Sequence, residues 1–330
     1  MEKINNIAIS NFKSINHLEI NDCNKINVFI GMPNAGKSNT LEALAIFGMI
    51  SDGNKGDTKD FIRYKTVSEL FYEESISKNI EIKVNDDLLE LISTDNTDNS
   101  GGFALKKLTE GVNYKIKSSK VNWDVTHESS KIKKYTFTEQ YFSKSDTKIQ
   151  LEYPFGRNLV QVIVSNTELR QIVNRYFQEN GLKLLIEKNT NALKIFKEYQ
   201  DGTVFTLSYE LIADTLQRLI FYQAAIISNK DSVLLFEEPE AHCFEPYILE
   251  FTNAVKYDKN NNQFFIVTHS DFIIQEFLRD EESKNDTNIY LVNNVSGETK
   301  VKLLNKESNE DVYEFGMNPF FNFENLWENN

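Results

Sequence analysis

Residues Gly31–Ser38 read Gly-Met-Pro-Asn-Ala-Gly-Lys-Ser, the spacing G-x-x-x-x-G-K-[ST]. That arrangement suits phosphate. Glycines at both ends let backbone N–H groups turn inward, the Lys37 ammonium reaches β/γ oxygens, and the Ser38 hydroxyl can ligate Mg²⁺. The mechanism requires a strand before the loop and a helix after it. Ile26–Ile30 is an apolar run, and from Ser38 to Ile50 the residues Leu41, Leu44, Ala45 and Met49 recur at i, i+3, i+4 and i+8. A second constellation lies 200 positions on (237 − 37), where Val233–Phe236 delivers Glu237, Glu238 and Pro239 to a strand end. Of such a pair, the first carboxylate can hold Mg²⁺ directly or through water, and the second can polarise a water for attack on a γ-phosphate. A third apolar strand, Phe264–Val267, ends in Thr268-His269-Ser270, which places a histidine where it can reach the same phosphate. Taken singly, such a carboxylate pair is more often merely solvated, and His269 more often a capping or hydrogen-bonded core residue. The P-loop is what joins them into one chemistry.

The elements that must position these residues alternate between two characters. Ile4–Phe12 and His17–Ile20 read as strands leading into the loop strand. From about Thr66 the sequence becomes β-rich, with Asn79–Val84 and Tyr114–Val125 as alternating segments, and Ser93–Gly101 is polar throughout. Ser165-Asn-Thr-Glu168 reads as a capping box before Leu169, Ile172, Val173, Tyr176 and Phe177 at helical spacing. Leu182–Glu187, Ala192–Tyr199 and Thr203–Leu207 read as strands, the last two turning at Asp201-Gly202, and a helix over Leu211–Ile227 follows. The expected organisation is an α/β nucleotide-binding domain split over 1–65 and 200–305. A β-rich and α insertion over 66–199 interrupts it, and an aromatic tail over 306–330 ends it.

Composition narrows the class further. The chain has 330 residues, 40% hydrophobic and 26% charged, enough for a large core. No apolar run approaches the roughly 20 residues of a membrane span and the start lacks a signal-peptide pattern, so the expectation is a cytoplasmic protein without membrane contact. Cys23 and Cys243 are the two cysteines, too few for a disulfide framework, and with the four histidines they make no zinc spacing. Net charge is −13, so any nucleic-acid contact has to be local.

Asn11-Phe12-Lys13-Ser14, the P-loop with Asn34, Glu237-Glu238-Pro239-Glu240-Ala241-His242 and Thr268-His269-Ser270 occur in one order. Together they resemble the ABC-class ATPases of the SMC, RecF and OLD type. The likeness is strongest to stand-alone ATPases of prokaryotic antiphage systems. It covers roughly residues 1–70 and 200–305. It implies an ABC-type P-loop fold that binds ATP and Mg²⁺ through Gly31, Asn34, Ala35, Gly36, Lys37, Ser38 and Asn39, with Asn11, Lys13 and Ser14 toward the adenosine end. Ser38 and Glu237 would hold the metal, Glu238 would be the base, His269 the switch histidine, and Lys37 would act on the phosphates. Two departures stand out. Glu237 replaces the family's usual Asp, and the region Leu211-Ile212-Ala213-Asp214-Thr215 lacks the Ser and Gly that normally reach a partner subunit's γ-phosphate. Asp214 reads as the N-cap of the helix from Thr215, and Thr215, Arg218 or that helix terminus would have to replace the missing donors.

Partners follow from the same resemblance and from two local features. The family's chemistry implies a homo-oligomer, a dimer or larger. Between Lys106 and Tyr135 lie eight lysines against three acids, an excess of five (8 − 3), with Tyr114, Trp123 and Tyr135 interleaved. DNA contact through 106–135 is one reading, lysines on the solvent face of a β-insertion the other. In the tail, Tyr313, Phe315, Phe320, Phe321, Phe323 and Trp327 either pack on their own domain or anchor another chain. OLD-like nucleases carry a further metal-dependent domain for which Val301–Asn330 is too short, so the expected effector, a nuclease or toxin, lies on a separate protein. A metabolic P-loop kinase fits the Glu-Glu and Thr-His-Ser arrangement less well. A non-hydrolysing ATP-dependent scaffold and a DNA-associated SMC/RecF-like repair ATPase both fit the same motifs and stay open.

Overall fold

The computed structural model describes residues 3–51, 57–93, 102–107, 112–117, 120–122, 131–138, 148–178, 181–187 and 192–330. It resolves into two compact units. The first contains residues 1–134, 232–238 and 263–330. Strands β1 (Ile7–Phe12) and β2 (Ile15–Ile20) form a hairpin, and β3 (Ile26–Gly31) is buried at every position, as a central parallel strand must be. Helix α1 (Lys37–Ser51) follows the P-loop. Strands β4 (Ile80–Val84), β5 (Asp87–Ser93), β6 (Gly102–Lys107), β7 (Val112–Lys117) and β8 (Lys120–Asn122) then extend the β1–β2 hairpin into a seven-stranded sheet, order β2-β1-β4-β5-β6-β7-β8. Strands β4–β8 of the β-rich stretch after Thr66 thus continue the sheet of the N-terminal hairpin. Trp123 and Val125, at the end of the alternating segment Tyr114–Val125, lie outside the described residues.

Strand β9 (Ile132–Tyr135) belongs to the other sheet of this unit, with β13 (Val233–Glu237), β14 (Gln263–Val267), β15 (Thr287–Val295) and β16 (Glu298–Leu303). The order is β16-β15-β3-β14-β13-β9. β13, β14, β3 and β15 are mutually parallel, and the register pairs Glu237 with Val267 and Val267 with Phe29. Their C-terminal ends therefore meet at one edge, where open α/β sheets bind ligands. Helices α6 (Asp271–Leu278), α7 (Glu281–Asn285), α8 (Lys306–Glu314) and α9 (Phe323–Asn329) complete the unit. The tail packs on its own unit: Val312, Phe323 and Leu326 are buried, and Lys302 stacks over Trp327 at 4.6 Å. Phe315 and Phe321 are the exceptions, exposed at 78% and 91%.

The second unit contains residues 135–231 and 239–262. It holds α2 (Leu159–Ser165), α3 (Thr167–Gln178), the antiparallel meander β10 (Lys183–Glu187), β11 (Ala192–Glu198) and β12 (Val204–Ser208), and helices α4 (Asp214–Ser228) and α5 (Glu245–Lys256). The expected hairpin turns at Asp201-Gly202, with Gly202 at φ +81°. Two local expectations are corrected here. Asn166, not Ser165, caps α3: its Oδ1 accepts the Leu169 N–H at 2.9 Å, while the Ser165 hydroxyl donates back to Gln161 O at 2.8 Å. Asp214 does not cap α4 but lies in its first turn, where the exposed N–H groups favour an acid. Among the described residues no helix is long and apolar enough to cross a membrane.

Candidate nucleotide site

The P-loop is shaped by two positions that no other residue type fits. A Cβ on Gly31 would lie 2.0 Å from Val292 O, and one on Gly36, at φ +98°, would lie 2.0 Å from Thr299 Oγ1. Asn34 takes the left-handed conformation at φ +61°, which asparagine tolerates better than most residues. A polar chain fixes the loop from outside. Thr299 Oγ1 donates to Ala35 O at 3.0 Å and bonds the Ser14 hydroxyl at 2.7 Å, while Asn39 Nδ2 donates to Ser14 Oγ at 2.7 Å. Lys37 folds back on the loop: its ammonium donates to Gly31 O at 2.9 Å and Met32 O at 2.8 Å. Burial pushes its pKa down to about 8 against the upward pull of Glu238. Carbonyls are weak partners for a buried cation, and phosphate oxygens on this loop would be stronger ones.

A cleft of about 470 Å³ opens over the loop, lined by Ser14, Asn34, Lys37, Ser38, Glu237, Glu238 and His269 among others. Glu238 has φ +46° and its N–H donates to Val267 O at 2.8 Å, which ties β13 to β14 where both strands end. His269 Nε2 is 3.6 Å from Glu238 Oε1. Burial and Lys37 lower the His269 pKa, Glu238 only partly opposing them, which favours the neutral ring.

Glu237 accepts a hydrogen bond from Ser38, which brings the two expected metal ligands together. It also carries two cations. Arg63 Nη2 donates to its Oε1 at 3.0 Å and Lys134 Nζ stands 3.3 Å from its Oε2. Burial pushes the Glu237 carboxyl up, but Lys134, the Ser38 hydroxyl and Arg63 outweigh it and hold the group below its ordinary value. Arg63 also donates from Nε to the wholly buried Glu42 at 2.7 Å, and Lys13 pairs with the other Glu42 oxygen. Three cations, Lys13, Arg63 and Lys134, thus share two carboxylates beside the phosphate loop.

The sequence-predicted residues do not all meet. Asn11 and Lys13 do not line the cleft. The Asn11 amide donates to Lys78 O at 2.6 Å, and Lys13 is committed to Glu42 and to Arg63 O at 2.7 Å. Thr215 and Arg218 fall in the second unit. The Thr215 hydroxyl donates to His242 O at 2.8 Å, and Arg218 bonds Asp214 Oδ2 at 2.7 Å and stacks over Phe137 at 4.6 Å. Sequence reasoning missed Arg63, Lys134, Glu42 and Thr299. Lys134 was counted in the basic stretch 106–135, yet it and Lys133 are only 5% and 4% exposed, so neither can track a phosphate backbone. Their strand, a lysine pair inside an apolar-flanked run, was the available signal. Side chains of the other lysines of that stretch, except Lys131, lie outside the described residues.

The residues fit ATP with Mg²⁺. The loop admits no side chain at Gly31 or Gly36, its lysine donates to loop carbonyls, and a hydroxyl and a carboxylate converge beside it. Ser38 and Glu237 would hold the metal, and bound there it would neutralise charge on the β/γ oxygens.

No family model matches the chain. RecF, the DNA replication and repair protein, of Thermoanaerobacter sp. (strain X514) is 25% identical over 284 residues, 86% of this chain and 68% of that protein. An uncharacterised Methanocaldococcus jannaschii protein, MJECL10, is 26% identical over 194 residues, 56% of this chain and 85% of that one. Among solved structures, an SMC head bound to the C-terminal winged-helix domain of ScpA aligns with a TM-score of 0.51 at 17% identity, over 92% of this chain and 98% of its own. The Smc head with an extended coiled coil, bound to the C-terminal domain of ScpA derived from Pyrococcus furiosus, aligns with a TM-score of 0.52 at 14% identity, over 96% and 99%. The fold is therefore the ABC-type P-loop ATPase α/β fold. Within it the likeness runs to the SMC head, with a weaker sequence likeness to RecF.

Proposed function

We propose that this chain is an ABC-type ATPase that hydrolyses ATP in the cleft above Gly31–Ser38. The observation that carries the reading is the meeting of Lys37, Ser38, Glu237, Glu238 and His269 at the C-terminal edge of one parallel sheet. Lys37 binds the β/γ oxygens, and Ser38 with Glu237 would hold the Mg²⁺ that neutralises charge on them. Glu238, half-exposed in the cleft with His269 3.6 Å away, takes a proton from the attacking water. Neutral His269 donates a hydrogen bond toward the γ-phosphate. Single-turnover release of phosphate from bound ATP by the purified chain, abolished in Lys37→Ala, is the expected result. Nucleotide binding without phosphate release would leave a scaffold that uses ATP for assembly.

The working form is a homo-oligomer, a dimer or larger. Leu211-Ile212-Ala213-Asp214-Thr215 offers neither Ser nor Gly to a second copy's phosphate, and Asp214 and Arg218 satisfy one another, so the α4 N-terminus itself is the donor we assign in trans. For the wider role, two readings stand. The RecF likeness supports a DNA-associated ATPase, whose turnover DNA would stimulate. The motif resemblance to antiphage ATPases and the exposed Phe315 and Phe321 support a subunit that regulates a separate effector, a nuclease or toxin, whose co-purification would depend on those two rings.

A further inference from the structure

The tail aromatics divide into those that hold the tail and one that does something else. Val312, Phe323 and Leu326 are buried and anchor α8 and α9. Phe320 is only half-buried. Its ring stacks on the imidazole of His269, with centroids 6.3 Å apart and planes 28° apart, while the next residue, Phe321, points to solvent. The backbone that presents Phe320 is tightly specified. Asn318 Oδ1 accepts the N–H groups of Phe320 at 3.0 Å and Phe321 at 3.1 Å, and the Asn318 side chain hydrogen-bonds Asp271. Gln275 Nε2 donates to Val312 O at 2.9 Å. Asp271 and Gln275 both belong to α6, which starts two residues after His269. The histidine therefore has Glu238 at its Nε2 edge and the tail on its face.

We propose that Phe320 is a positioning residue for His269: the tail holds the imidazole in the rotamer that turns its Nε2 edge to the cleft. The proposal rests on the assignment of His269 to phosphate chemistry. An imidazole joined through two rotatable bonds has several staggered orientations, and an aromatic contact of this kind biases such an equilibrium by about two- to tenfold. The same contact makes the tail, about 50 residues further along the chain, a place from which turnover can be slowed without touching nucleotide.

The test compares Phe320→Leu, which keeps bulk but not the stack, with Phe320→Tyr, which keeps both. Single-turnover phosphate release and the ring signals of His269 in histidine-labelled protein are read together. Phe320→Leu is expected to slow hydrolysis about two- to tenfold with nucleotide Kd and melting temperature unchanged, and to shift the His269 ring signals as the neighbouring ring current is lost. Phe320→Tyr should restore both readouts. His269→Ala with Phe320→Leu should be no slower than His269→Ala alone, because the phenylalanine acts only through the histidine. If Phe320→Leu hydrolyses at the normal rate while His269→Ala is slow, or if the two effects multiply, the proposal is overturned. If His269→Ala is itself normal, the assignment of His269 falls. In that case, unchanged ring signals in Phe320→Leu would overturn the packing claim as well.

Discussion

At the scale of single residues, the site is governed by where its cations stand. Lys134 and Arg63 already occupy both oxygens of Glu237, so a divalent metal entering beside Ser38 competes with two protein charges. Lys134→Met should therefore lower the Mg²⁺ concentration needed for half-maximal ATP binding by about tenfold. It should also destabilise the nucleotide-free protein by about 3 kcal/mol, the cost of leaving one partner of a largely buried ion pair. Calorimetric titration and chemical denaturation of the variant measure the two effects, and an unchanged Mg²⁺ requirement would remove Lys134 from the metal site. Lys37 supplies a pH dependence with a definite sign. Its pKa is about 8 in the nucleotide-free protein, and the charge of bound phosphates raises it again. Between those two values the complex holds more protons than its parts, so affinity for ATP falls as pH rises through 8. Lys37→Arg, always protonated, should show a flat profile over about pH 7–9.5, whereas the wild type should weaken by up to about tenfold per unit. The P-loop was legible because its chemistry is carried by adjacent residues. The Lys13–Glu42–Arg63–Glu237–Lys134 network was not, since its members come from five separate segments of the chain and only the fold brings them together.

At the scale of elements, the edge shared by β3, β13 and β14 does the positioning. Apolar runs of four or five residues announced all three strands, and the parallel register sets Gly31, Glu237 and the residues after Val267 side by side. Strand continuity in the other sheet was less readable, because alternation reveals that a segment is a strand but not which edge it joins. The caps of α3 and α4 were misread by a residue each, as helix ends depend on which side chain folds back. Thr299 of β16 bonds the P-loop at Ala35 O and leaves no room for a Cβ at Gly36. Gly36→Ala should lose nucleotide binding and about 1–3 kcal/mol of stability, from left-handed strain and the clash with Thr299 Oγ1. Pairing it with Thr299→Ala should recover part of the stability but not the binding. Full recovery of binding would mean that the loop conformation is not what the phosphates require.

At the scale of the whole molecule, the tail and the altered α4 region carry the proposals about how the chain works with others. The tail could be read from sequence as packed on its own domain or docking onto another chain; Val312, Phe323 and Leu326 are buried, and Phe315 and Phe321 are exposed. Nothing in the pattern of aromatics distinguishes these, since anchoring depends on α6 and β16. If groups supplied in trans complete the site, the specific activity of the ATPase should fall on dilution through the dissociation range of the oligomer, and fully active monomers would contradict that assembly. Hydrolysis with Glu238 as the base is read from single-turnover phosphate release by Glu238→Gln. This variant should keep ATP bound with Mg²⁺ and release phosphate about 10²–10⁴-fold more slowly, roughly 3–5 kcal/mol of barrier. Release at the wild-type rate would contradict it.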